Sequence, residues 1–223
     1  NGILPKFSLN GEGRVANNKL NFKIAELRYS DLYEFIMDKL EKELPSNLYY
    51  HDVKHTIDVV VQVEIIGKAE KVSKEDLLIL KTAALFHDVG FTVNYDNHEL
   101  HGFKLAKSLL PKYQYTRKQI ELIGQLIMIT KFPPLPKTKL EMIICDADLD
   151  YLGRKDFVPV SRNLFMELYE RKRIKSVNEW LKTQIKFIEK HTYFTETAIN
   201  KRGVNKNQQL ENIKKMDFLS SFF

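Results

Sequence analysis

Sulfur chemistry is nearly missing from this sequence. Cys145 is the one cysteine in 223 residues, which excludes a disulfide framework and a cysteine-built zinc site and fits a reducing cytoplasm. Long apolar runs are missing too: stretches such as Gln125-Leu126-Ile127-Met128-Ile129 are far too short to cross a bilayer. No signal-peptide pattern follows Asn1, and the lack of a start methionine fits a piece cut from a longer polypeptide. There is no internal repeat and no low-complexity tract. Charge of one sign does not dominate either, since 35 Lys+Arg against 29 Asp+Glu leave a net +6, with acids and bases alternating throughout. The Lys/Arg clusters at Arg171-Lys172-Arg173, Lys201-Arg202 and Lys214-Lys215 belong to no recognised docking motif, so nucleic acid is a poor partner. What is present is 43% hydrophobic and 29% charged residues, an ordinary soluble composition in a length that allows one large domain or two small ones.

Residues 1–28 read differently from the rest. Turn signals at Gly11-Glu12-Gly13 and Ala16-Asn17-Asn18-Lys19, followed by Leu20, Phe22 and Ile24 in alternation, predict a short N-terminal β-hairpin or extended arm that packs on the body. From residue 29 to 223 the period is helical. Ser30 can cap a helix holding Leu32, Phe35, Ile36 and Leu40 that ends at Pro45. A second helix is expected over about 52–70 and a third from Ser73 to about His87. Further helices are expected at about 97–110, 117–129, 138–151, 160–173, 177–191 and 206–217. Ser73/Asp76, Thr116/Gln119 and Ser176/Glu179 are capping-box pairs, and Pro133, Pro134 and Pro136 force a break. The body is all-α.

Three segments carry candidate chemistry. In Tyr50-His51-Asp52-Val53-Lys54-His55-Thr56 the two histidines stand one helical turn apart. Val59, Val63 and Ile66 continue the line from His55, so that face points inward. The pair alone reads equally as two hydrogen-bonded histidines near a helix start. In Leu80…Ala84-Leu85-Phe86-His87-Asp88, His87 lies on an apolar stripe with Asp88 beside it. Burying both is costly unless each finds a strong partner, either the other as an ion pair or a divalent cation. In Ile143-Ile144-Cys145-Asp146-Ala147-Asp148-Leu149-Asp150, three alternate acids interrupt an apolar helix, with Asp148 nearer the apolar stripe than Asp146; a solvated acidic face is the plain alternative. Two imidazoles and two carboxylates on three inward stripes suit one or two divalent ions such as Mn, Fe, Mg, Ni or Zn, with positions left for water and a phosphate oxygen.

In this ordered pattern the chain resembles the HD superfamily of metal-dependent phosphohydrolases, all-α helical bundles named for their His-Asp pair. The resemblance runs from about Leu27 to about Thr195. It implies His55, His87, Asp88 and Asp148 as metal ligands and a phosphoester, commonly a nucleotide, as substrate. The segment Tyr50–Thr56 also resembles the Tyr-His-Asn-x-x-His segment of cyclic-nucleotide phosphodiesterases, which implies His51 as the general acid; Asp52 stands where that segment has Asn. Asn97-His98-Glu99-Leu100-His101-Gly102 resembles the His-x-x-x-Gly element of two-metal relatives, making His98 a candidate ligand of a second ion. His87-Asp88-Val89-Gly90-Phe91 lacks the Lys or Glu that two subgroups carry at the position of Phe91. Residues 11–27 resemble the end of bacterial nucleotide-cyclase catalytic domains, which implies a fused cyclase domain upstream.

The expected activity is hydrolysis of a phosphoester bond by metal-activated water, mono- or diesterase, with His51 protonating the leaving oxygen. Lys131, Lys54 and Arg154 are candidate phosphate clamps, although surface cation is the default reading of each. The competing reading is a catalytically silent module that binds metal and nucleotide for regulation. Substrate and oligomeric state are not encoded in any motif found.

Overall fold

The structure is a computed structural model that describes residues 11–220 of the chain and the side chains of 25–216. Nine α-helices make up the described residues, with no strand among them: α1 (Gly11–Glu43), α2 (Val53–Ala69), α3 (Lys74–Phe86), α4 (His98–Leu109), α5 (Arg117–Ile129), α6 (Lys139–Asp148), α7 (Phe157–Glu170), α8 (Val177–Lys190) and α9 (Glu196–Ser220). Short 3₁₀ turns follow α3, α4 and α6, at Val89–Thr92, Leu110–Tyr113 and Asp150–Gly153.

The helix starts are chemical. Asp52, Ser73, Thr116, Thr138 and Ser176 each accept a hydrogen bond from a first-turn backbone N–H of their helix, satisfying a donor that the helix itself leaves free. Thr116/Gln119 and Thr138/Glu141 close as full reciprocal boxes.

One expectation is corrected. Residues 11–28 do not form a hairpin: they are the first half of α1, which passes through Ser30 without a cap and ends just before Pro45. Leu20, Ile24 and Leu27, two of which supported the two-residue alternation, also fall at i, i+4 and i+7. No proline or glycine stands between Gly13 and Pro45 to break a helix, so helical propensity carries through. Residues 1–10, the remainder of the expected arm, lie outside the described residues. Within α1, Leu32, Ile36 and Leu40 are buried as expected, whereas Phe35 is exposed.

Two apolar clusters form the interior. The larger joins α1, α2, α3, α5 and α6 through residues such as Leu32, Val63, Leu80, Phe86, Ile123, Leu126 and Ile144. The second joins Tyr50 and Tyr151 to Phe157 of α7, Ile188 of α8, Tyr193 and Ile213 of α9. Burying aliphatic and aromatic side chains in this way contributes roughly 1.5–3 kcal/mol for each large one. The candidate site lies on the seam: the Tyr50 ring, in the second cluster, sits 4.6 Å from the ring of His55 and 5.4 Å from that of Tyr151.

Candidate metal centre

His55 is one turn into α2, where Asp52 caps the helix by accepting the His55 backbone N–H at 2.8 Å. An Asn would serve that cap equally well, so Asp52 keeps the local geometry that the resemblance implies. Val59, Val63 and Ile66 below His55 are buried, which directs the imidazole inward. His87 and Asp88 end α3, whose preceding four residues are fully buried. Two glycines bring α4 down onto this turn. A Cβ on Gly90 would stand 1.8 Å from the carbonyl oxygen of His98, and one on Gly102 would stand 2.6 Å from that of Phe86. That backbone-to-backbone approach carries His98 and Glu99 to the edge of the site.

The three alternate acids at the end of α6 divide their work. Asp146 is fully buried and accepts hydrogen bonds from the Phe194 N–H at 2.9 Å and from the Thr195 N–H and hydroxyl, each at 2.7 Å. It thereby pins the α8–α9 connection to α6. Burial pushes its carboxyl up, and the Thr195 and Phe194 bonds partly restrain it. Asp150 forms a two-pronged pair with Arg202 of α9 at 2.7 and 2.8 Å. Asp148 alone turns to the histidines. The expected order of burial is thus reversed, because Asp146 finds internal donors that the helix pattern does not reveal.

Four side chains converge. The ligand-competent atoms of His55, His87 and Asp148 all lie within 4.8 Å of one another. Asp148 Oδ1 is 3.2 Å from His55 Nε2 and 3.5 Å from His87 Nε2. Asp88 Oδ2 is 3.4 and 3.2 Å from the same two nitrogens, which are themselves 3.3 Å apart. His87 Nδ1 donates to the carbonyl of Ala84 at 2.7 Å; a carbonyl can only accept, so Nε2 of the neutral ring is a bare lone pair aimed at the cluster. Asp88 Oδ2 is buried with no hydrogen-bond partner. Lone pairs and carboxylate oxygens packed this closely could hold a cation, and a divalent metal fits the donor set. Without one, protons take its place. Burial opposes charge on both partners, yet the His87 pKa rises well above the ordinary imidazole value beside Asp88 and Asp148, while those carboxyls fall far below theirs beside the histidines.

The other expected residues surround this cluster. His51 Nδ1 is 2.6 Å from Oε1 of Glu167. Glu167 is fully buried, and its other oxygen accepts the Tyr50 and His51 backbone N–H groups at 3.0 and 3.2 Å. Burial disfavours a charged His51, but the Glu167 bond and the Asp88 carboxylate outweigh it and raise its pKa. His98 Nε2 stands 3.5 Å from Asp88 Oδ1 and 3.6 Å from Glu99 Oε1. Phe91 packs against both His98 and His51, stacked on the first at 3.9 Å and tilted against the second at 4.5 Å.

A cavity of about 200 Å³ opens from Asp88 and Asp148 past His51 and His98 to Phe132 and Phe187. Lys54 and Arg154 line a separate cleft on the other side of His55 and Asp148, where Arg154 is held by Asp156 at 2.8 Å and Asp58 at 3.2 Å. Lys131, between two lining residues but not itself lining the cavity, donates to Asn97 at 3.3 Å.

Glu167, Glu99 and Asp146 were not among the expected site residues. Glu167 does leave a trace, as a lone acid inside Leu164-Phe165-Met166-Glu167-Leu168-Tyr169, but its partner is 116 positions away.

Residues 52–150 match the family described as HD domain, a span that holds all four clustered side chains. A crystal structure described as a predicted HD superfamily hydrolase, from an uncultured Thermotogales bacterium, superposes with a TM-score of 0.56 at 20% identity, covering 85% of this chain and 92% of that one; this likeness speaks to the fold. An uncharacterized protein of Clostridium beijerinckii is 34% identical over 83 residues, 35% of this chain and 51% of that protein, so the chain spans about half the length of this relative. No described helix is long and apolar enough to cross a membrane. The all-α bundle and the His-His-Asp convergence agree with the HD domain match over residues 52–150 of this chain.

Proposed function

We propose that this protein is a cytoplasmic, metal-dependent phosphohydrolase that cleaves a phosphoester bond of a nucleotide or cyclic nucleotide. The observation that carries the reading is the buried Asp88 Oδ2, unpartnered and 3.2 to 3.4 Å from two imidazole nitrogens. His55, His87, Asp88 and Asp148 would hold the ion. The other Asp88 oxygen faces His98, whose Nε2 also stands beside Glu99, and these two residues would take part in holding a second. A divalent ion bound there supplies Lewis acidity, making a water nucleophilic near neutral pH and offsetting phosphoryl charge.

The chain's own groups do the rest. Glu167 occupies His51 Nδ1, which leaves Nε2 as the nitrogen that can protonate a departing oxygen, and the Glu167 carboxylate favours the protonated form that this role needs. Phe91 fixes the planes of both flanking histidines, so the donor is oriented before substrate arrives. Cys145 is buried, and burial pushes its thiol up, which disfavours a thiolate there.

The test is hydrolysis of bis-p-nitrophenyl phosphate and a nucleotide panel after loading with Mn, Mg, Ni or Fe. His87→Ala is expected to abolish turnover while keeping its helical circular dichroism. A variant working at the parental rate overturns the reading. Thermal stabilisation by nucleotide with no phosphate released selects the regulatory module instead.

A further inference from the structure

The lining of the cavity has an unusual charge balance for a phosphate site. Asp88, Glu99 and Asp148 contribute carboxylates, and no Lys or Arg among the described residues lines it. The cations in the neighbourhood are committed elsewhere. Lys131 is on Asn97. The Arg171 guanidinium lies 4.0 Å over the Tyr95 ring and donates to Asn47. Arg173 pairs with Asp96 at 2.8 Å. The cleft across the cluster does not supply the deficit: its Arg154 is neutralised by two carboxylates, and Asp52, Asp58, Asp148 and Asp150 outnumber its cations. Even position 91, directly after the glycine that admits α4, is an uncharged Phe packed against His51 and His98.

Opposite the carboxylates the cavity is apolar. Phe132 and Phe187 meet with ring centroids 4.8 Å apart at 35°, next to Pro134, Leu149 and Leu164. Phe132 is 52% exposed, an aromatic face at a cavity mouth that a flat ring can cover. The volume of about 200 Å³ suits a small ligand that leaves part of itself at the mouth.

Resting on the phosphohydrolase reading, we propose that the site takes a phosphoester with a single phosphoryl group and a flat aromatic moiety laid against Phe132 and Phe187, and that it excludes nucleoside di- and triphosphates. Two divalent ions would leave the lining about one positive charge to spare over its three carboxylates. That matches one phosphoryl group and no more. Each further phosphate brings additional negative charge into a half-enclosed space where no fixed cation receives it, and burying an unpaired charge is strongly unfavourable.

The experiment measures binding as well as turnover, on the full chain with Mn²⁺ in excess of nucleotide. Calorimetric titration with adenosine 5′-mono-, di- and triphosphate is expected to give affinity falling at least tenfold from mono- to triphosphate. Phe132→Ala and Phe187→Ala are each expected to weaken the monophosphate about tenfold, the size of one aromatic stacking contact, and to leave inorganic phosphate unchanged. Phe132 is half exposed, so its variant folds even where that of Phe187 does not. Equal or tighter binding of the triphosphate, binding of none of the three, or an unchanged monophosphate affinity in Phe132→Ala overturns the proposal. Failure of the underlying reading looks different: monophosphate preferred, yet neither it nor bis-p-nitrophenyl phosphate is hydrolysed. A chain that hydrolyses the triphosphate as fast as the monophosphate leaves hydrolysis standing and removes this inference.

Discussion

At the scale of single residues, the site is a problem in satisfying buried polar atoms. His87 gives its Nδ1 proton to Ala84, and His51 gives its own to Glu167; each leaves one nitrogen for chemistry. Glu167→Gln keeps the shape and removes the charge that holds His51. It is expected to lower the catalytic rate by about 10²-fold, within the range for a lost general acid, with the bound metal per chain unchanged by elemental analysis. A change in metal content instead would make Glu167 part of the ion's support. His191 offers an independent check on burial. It is 6% exposed with neither ring nitrogen hydrogen-bonded, and burial, assisted by the charge of Lys206, pulls its pKa down to about 4. An unfolded histidine titrates near 6.5. Between those values the unfolded chain binds a proton that the folded one refuses, so stability is intact above about 6.5 and falls as the pH drops toward 4, by roughly 3 kcal/mol at most. Urea unfolding at pH 7 and pH 5 should show a smaller loss in His191→Gln than in the parent; equal losses would contradict the assignment.

At the scale of elements, close backbone approach and end-capping set the geometry. Gly90 and Gly102 let α4 lie on the His87-Asp88 turn, so Gly90→Ala is expected to cost about 3 kcal/mol and to release metal by separating His98 from Asp88. Gly203, inside α9 with nothing within 4 Å of an added Cβ, is the control: Gly203→Ala should stabilise by about 0.5–1 kcal/mol. Thermal melts of the two variants shifting in the same direction would refute the contrast. Most helices could be read from the sequence because their ends carry side-chain chemistry, as at Ser73, Thr116 and Ser176. Where the ends are featureless the reading failed. The early part of α1 alternates at two residues as readily as it repeats at three to four, and the first turns of α9 hide behind Asn200 and Gly203. The four clustered residues could be picked out because their ordered spacing is distinctive. Glu167 and Asp146 could not, since each takes its meaning from partners many tens of residues away.

At the scale of the whole molecule, two apolar clusters close on each other and the metal-side residues lie where they meet, with α2, α3 and α6 from the larger cluster and Tyr50 and Tyr151 from the smaller. A ligand held on that seam stabilises the folded chain in proportion to its binding, about 2.7 kcal/mol at a hundredfold excess over its dissociation constant. Stripping metal with a chelator should therefore lower the melting temperature by several degrees, reversibly on adding the ion back. The most direct measurement is metal stoichiometry, by elemental analysis of the purified chain and of His87→Ala and Asp88→Ala. The account predicts at least one divalent ion per parental chain and near-complete loss in both variants, with helical content preserved. Variants that keep the parental metal, or a parental chain that takes up none when loaded, would contradict it.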